Sequence, residues 1–323
     1  MMQPKTVNDF YWSDKKEPHV LRRKEILKKH PEITKLYGID PLMKYSSTFL
    51  VIVQVAIALN IYRVFDYFEN PFYAWGVFLL ITYFIGATIE HALFLAIHEI
   101  THYMAFKKKW PNNILAFVAN IPIVFPYAMS FKYYHALHHW EQGKDGADAD
   151  IPLKGEAKLF KGFFGKSIWY ATQIFFYAFR PAFVKKIPID KWLVYNIIFQ
   201  LIAMAIILPL AGWYGSFYLL LTLFLAGGLH PTSGHFISEH YVFDNDQETY
   251  SYYGPLNWVT YNVGYHNEHH DFPYIPGSRL KKVREIAPEF YNNLHYYTSW
   301  PGVTWRFITD KNITLFSRMK RKI

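Results

Sequence analysis

The stretch Gly264-Tyr265-His266-Asn267-Glu268-His269-His270-Asp271-Phe272-Pro273 carries three histidines in the spacing HxxHH. On a helix, positions i, i+3 and i+4 share a face, so His266, His269 and His270 can all address one object. The same spacing recurs at His135, His138 and His139, and His98 and His102 form an HxxxH pair one helical turn apart. A single box reads equally well as a polar helix face or as satisfied core histidines. Three boxes holding eight of the chain's 15 histidines point instead to metal, for which imidazole is a common ligand. Eight ligands are too many for one closed tetrahedral zinc site. They suffice for two ions that keep positions open for oxygen chemistry.

The surrounding composition places that site at a membrane. Of 323 residues 52% are apolar and 20% aromatic, with 26 Tyr and 10 Trp, a richness that suits interfacial belts. A mean hydropathy of −0.01 excludes a chain lying mostly inside a bilayer. The expected object is all-α, with membrane helices beneath a polar cap. Cysteine is absent, which excludes disulfides and thiolate metal sites. The net charge of +9 comes with no recognised nucleic-acid motif, and basic cytoplasmic flanks of membrane helices account for it better.

Outward from the boxes, apolar runs alternate with polar segments. Residues 1–44 are polar and basic, carry no signal-peptide pattern, and form an expected N-terminal cytosolic segment ahead of a membrane domain over 45–323. Within it, Val20, Leu21, Ile26 and Leu27 suggest a short amphipathic helix, either on a membrane surface or packed on the cap. Tyr45 to Val64 and Phe72 to Ile97 are each long enough to span, and Trp192 to Leu210 and Phe217 to Leu229 make a second hairpin around Ala211–Gly215. Residues 112–130, with Pro122 and Pro126, run short of a clean span, and 163–183 fit a surface helix or a span. Four crossings, or six with both of these segments, put all three boxes on one side. The Lys107–Lys109 run and the basic N-terminus make that side cytoplasmic.

Nitrogen-only ligation suits iron, copper or zinc better than magnesium or calcium. Glu99 and Glu268, inside boxes, are expected to accept the second ring N–H of a ligand, with Asp148, Asp150 and Asp271 as further candidates. In Ser233–Tyr241 a ninth ligand is expected at His240, with His235 as the alternative; the two lie five residues apart and share a helix face poorly. His98-Glu99-Ile100-Thr101-His102 also matches HExxH, so a membrane zinc metalloprotease is one rival, although it leaves six box histidines unused. A non-enzymatic scaffold with structural zinc is another.

HxxxH, HxxHH and HxxHH in this order, separated by apolar hairpins, resemble the membrane fatty-acid desaturase and hydroxylase superfamily. More narrowly, the chain resembles the sphingolipid Δ4-desaturases (dihydroceramide desaturases). That likeness runs through His19–Ile33 with its Arg-Arg-Lys-Glu-Ile-Leu core, Asp148–Pro152, Phe176–Pro181, Leu229–Tyr241, Tyr250–Asn257 and Asn262–Pro273. The resemblance implies a nonheme di-iron enzyme held by His98, His102, His135, His138, His139, His266, His269 and His270, and it supports His240. It implies O2-dependent desaturation of N-acyl sphinganine between C4 and C5 to ceramide. Electrons would come from NAD(P)H through a reductase and cytochrome b5. The membrane would be the endoplasmic reticulum, with a cytosolic site, or the inner membrane if the source is bacterial. C4-hydroxylation is the alternative outcome on the same scaffold. Lys15, Lys16, Arg22–Lys24, Lys107–Lys109, Lys281, Lys282 and Lys320–Lys322 are expected to face an acidic electron donor. Met2 and Gln3 stand where relatives often carry a Met-Gly myristoylation pattern, which speaks against that modification.

Overall fold

A computed structural model describes residues 8–244 and 247–322; Met2 and Gln3 lie outside them. Helices dominate, and among the described residues strands are confined to two short parallel pairs, Tyr11–Trp12 with Met319–Lys320 and Ser251–Tyr252 with Tyr296–Tyr297. The chain divides into two compact units: one is Met1–Gly38, Tyr133–Ile187 and Pro231–Ile323, the other Ile39–Lys132 and Pro188–His230.

The second unit holds the apolar helices, the last of them as far as His230. Met43–Asn60, Pro71–Thr101 and Lys191–Ser238 are long and apolar enough to cross a membrane. The side chains of Asn70 and Asp190 cap the second and third, accepting from the backbone N–H of Phe72 and Leu193. The third breaks at Gly212, whose φ of 63° and ψ of −164° no helix contains. Ser216 Oγ donates to the Leu208 carbonyl at 3.3 Å. Eight residues of straight helix would separate them by ~12 Å. The chain therefore folds back here, inside the turn expected from Ala211–Gly215. Ile207 and Leu208 from one limb and Tyr214 and Phe217 from the other pack on the same core of Ala58, Phe78 and Tyr218.

A buried polar knot ties these helices together. Gln54 Nε2 donates to Glu90 Oε2 at 3.0 Å and to the Gly86 carbonyl at 3.2 Å, while Gln54 Oε1 accepts from Tyr218 at 2.9 Å. Polar side chains hydrogen-bonded across helices in this way are the usual glue between membrane helices. Phe49, Ile52, Phe84, Leu201 and Ile206 point outward, as lipid-facing residues should.

The six-crossing reading is not realised. Lys109–Ile123 and Ala128–Trp140 meet at 112°, so residues 112–130 bend sharply instead of forming a straight span. Asn120 holds that turn: its Nδ2 donates to the Phe125 carbonyl, and its Oδ1 accepts from the N–H groups of Tyr127 and Ala128. The other doubtful segment, Gly162–Val184, belongs to the first unit and buries Lys166 and Arg180 with Trp169 and Tyr170. Lys166 donates to the carbonyls of Phe307, Asp310 and Ile313. Its Phe164, Phe175, Phe179 and Phe183 face outward.

Two apolar clusters organise the first unit. One gathers Trp169, Tyr241, Phe307 and Phe316. The other gathers Ile26 and Ile33 with Phe272, Leu280, Val283 and Tyr291, and so joins the N-terminal helix His19–Lys29 to the segment after the third box. Ile26 and Leu27 of that amphipathic helix pack on this cluster, whereas Val20 and Leu21 are exposed.

Candidate metal centre

The helix Ala128–Trp140 presents His135, His138 and His139 on one face, and a six-residue helix, His266–Asp271, does the same for His266, His269 and His270. The second helix starts where it does because Gly264 passes tightly against Asn257 and Tyr252. Its N–H donates to Asn257 Oδ1 at 2.9 Å, and a Cβ there would sit 2.5 Å from the same oxygen. His240 enters from the turn after the short helix His235–Ser238.

Within the first unit these seven imidazoles form two adjoining groups. His135 and His139 have their Nε2 atoms 3.0 Å apart, and His139 and His269 3.1 Å. In the other, the Nε2 atoms of His138 and His240 are 3.0 Å apart and those of His240 and His266 2.8 Å, with the His270 ring 4.9 Å from that of His240. The two groups abut where the rings of His139 and His270 approach to 4.3 Å.

Neutral imidazoles gain little by pointing nitrogens at one another, whereas a shared metal would hold them in this arrangement. Imidazole–metal bonds of ~2.1 Å at right angles place neighbouring nitrogens ~3 Å apart, which is the spacing found. His270 Nε2 is buried without a hydrogen-bond partner, as a ligand atom would be. Burial, reinforced by neighbouring imidazoles, pushes His240 and His270 well below the ordinary histidine range, so both stay neutral with a lone pair to give.

The outward nitrogens of His138 and His240 are held by the protein. His138 Nδ1 donates to Asp148 Oδ1 at 3.0 Å, and Asp148 is itself fixed by the N–H groups of Gly143 and Asp150. Burial alone would lower His138, but the Asp148 carboxylate overrides it and raises the imidazole's affinity for positive charge. His240 Nδ1 lies 3.2 Å from the Glu248 carbonyl, and His266 Nδ1 3.4 Å from Glu239 Oε1.

His98 and His102 stand in the second unit at the end of the helix Ala87–Thr101, their rings 5.3 Å apart, with Glu99 Oε1 4.0 Å from His98 Nδ1. His235 lies outside both groups; its Nδ1 is 3.3 Å from the Thr232 carbonyl and its ring rests on Phe236. Glu268 accepts from Ser251 at 2.7 Å and from Tyr253 at 2.6 Å, so it anchors the back of its helix rather than a ring N–H. Asp150 pairs with Arg318 at 2.6 Å, and Asp271 with His19 and Arg22. Sequence reasoning missed Thr249, Ser251, Tyr253 and Tyr291 as supports, and passed over His19 because it belongs to no box.

The family model described as "Fatty acid desaturase" matches residues 73–301, and that described as "Sphingolipid Delta4-desaturase" matches residues 6–42. A rice protein named "Sphingolipid delta(4)-desaturase DES1-like" is 49% identical over 97% of this chain and 93% of its own length. A Drosophila melanogaster "Sphingolipid delta(4)-desaturase DES1" is 46% identical over 100% and 98%. A Caenorhabditis elegans relative whose name joins sphingolipid delta(4)-desaturase with C4-monooxygenase is 44% identical over 100% and 87%.

Proposed function

The chain belongs to the sphingolipid Δ4-desaturase family, a membrane-bound oxidoreductase family, and we propose that it holds two irons and desaturates N-acyl sphinganine at C4–C5 to give ceramide. The observation that carries this reading is the pair of adjoining imidazole groups with Nε2 spacings of 2.8–3.1 Å. One iron takes His138, His240, His266 and His270. The other takes His135, His139 and His269, and the family resemblance adds His98 and His102 to the ligand set. When bound, the irons supply the O2 activation and hydrogen abstraction from an unactivated CH2 that no side chain can perform.

The protein's own groups position and protect. Asp148 sets the tautomer of His138, so its Nε2 carries the lone pair. Glu268, accepting from Ser251 and Tyr253, keeps the third box in register. Burial of His266, His269 and His270 excludes water from that side of the site. Electrons come from NAD(P)H through a reductase and cytochrome b5, and the site faces the cytosol from the endoplasmic reticulum. Family membership removes the zinc-protease reading of His98, Glu99 and His102.

C4-hydroxylation is kept as a second reading because the nematode relative's name carries both activities. Both begin by removing the same hydrogen and differ by ångström-scale substrate placement. Purified protein given dihydroceramide, O2, NADH, reductase and cytochrome b5 tests the proposal by mass spectrometry. A product lighter by two hydrogens is expected. One heavier by a single oxygen supports the second reading, and no conversion of dihydroceramide contradicts both.

A further inference from the structure

The His19–Ile33 motif stands apart from the three boxes, yet its first turn reaches the third of them. The helix His266–Asp271 has only six residues, too few to hold its own orientation. Its histidines face the metal groups. Its other three side chains, Asn267, Glu268 and Asp271, are buried, so each needs partners. Glu268 has Ser251 and Tyr253. The partners of the other two come largely from the N-terminal helix His19–Lys29.

Asp271 accepts from His19 Nδ1 at 2.8 Å, from Arg22 Nε at 2.7 Å and from the Tyr291 hydroxyl at 2.9 Å. Arg22 also donates through Nη2 to Asn267 Oδ1 at 2.8 Å. One guanidinium thus spans positions i and i+4 of the box helix, along the face opposite the ligands. A carboxylate only accepts, so His19 carries its proton on Nδ1. Its Nε2 lies within hydrogen-bond distance of Thr249 Oγ1, at 3.0 Å, and that hydroxyl accepts from Gln142 at 3.0 Å. Both nitrogens of His19 are committed, so it is no ligand. Its ring nevertheless rests against that of His270, 4.8 Å between centroids.

We propose that His19 and Arg22 are positioning residues that clamp the third histidine box, so that the N-terminal segment governs how tightly the metal at His266 and His270 is held. The proposal rests on the two-metal reading above. Arg22 is the centre of the clamp: without it, Asp271 is a buried carboxylate short of its cation, and Asn267 loses the group that ties it to Asp271. Lysine carries the charge but lacks the fork that serves both acceptors at once. Partners beyond the first ligand shell typically set metal affinity by ~10–100-fold.

The test uses full-length protein in detergent, loaded with Fe(II) or Co(II) and titrated with a competing chelator. Arg22→Ala should weaken retention of one of the two metals by ~10–100-fold and shift the visible ligand-field bands of the cobalt form. Arg22→Lys should fall between it and the parent. Tyr291→Phe, which deletes a single hydroxyl, should give a smaller shift of the same kind. Lys24→Ala, exposed on the same helix, should match the parent. Should Arg22→Ala fail to fold, Arg22→Lys and Tyr291→Phe decide. Parent affinity and spectrum in both conservative variants, with metal bound normally by the parent, overturns this proposal alone. A parent that binds no metal overturns the two-metal reading and this proposal with it.

Discussion

Removing Arg180 should damage the first unit far more than removing Arg180 and Glu156 together. The two form a two-pronged pair, Nε to Oε1 at 2.8 Å and Nη2 to Oε2 at 2.9 Å, with side chains 1% and 7% exposed. Burial alone would make the guanidinium easier to deprotonate; the hydrogen bond and charge of Glu156 reverse that and raise it. Glu156 also accepts from Trp169 Nε1 and the Leu153 N–H, so it cannot swing away to water. Arg180→Met therefore leaves a buried carboxylate without its cation, at a cost of ~3–5 kcal/mol. For a unit of this size that is a fall in Tm of roughly 6–20 °C. Arg180→Met/Glu156→Leu removes both charges, and replacing a whole buried pair is often near neutral, so most of the loss should return. The assay is thermal unfolding of detergent-solubilised protein for the parent, both single variants and the double. A double variant as unstable as Arg180→Met, or a single variant as stable as the parent, refutes the reasoning.

Among the histidines outside the repeated boxes, His240→Ala should lose product and one metal, whereas His235→Ala should keep both; product assay and metal analysis of the two proteins check this. Acid should act partly through Asp150. Burial alone would raise its carboxyl, but the Arg318 guanidinium, with His138, holds it well below the usual carboxylate range. A folded-state value lowered in this way gives stability that is complete above about pH 4, the unfolded value, and is lost as pH falls through the folded one. The Tm gap between the parent and Arg318→Gln should accordingly be constant above about pH 4 and narrow below it; a gap that widens on acidification counts against the assignment.

The parts of this molecule governed by local spacing were readable in the chain. Histidines at i, i+3 and i+4 must share a helix face, and the structure puts them on one. Gly212 lies in the charge-free turn expected between two apolar runs, and Pro122 and Pro126 marked a segment that bends. What escaped depends on long-range pairing or on which face of a helix turns inward. His19 meets Asp271 across 252 positions and His138 meets His240 across 102, and no periodicity connects such residues. The aromatic run 163–183 gave no hint that Lys166 and Arg180 point inward to carbonyls and a carboxylate. Glu268 is next to a ligand along the chain but turned from it in space, because successive residues on a helix differ by about 100°.

The central claim is that the histidine groups hold two irons, and metal analysis of the purified full-length chain tests it most directly. Iron, zinc and copper per chain should be measured on the parent together with its dihydroceramide-desaturating activity. Two irons per chain, with activity lost on chelation and restored by iron, is the expected result. One zinc per chain, with activity restored by zinc, would contradict it.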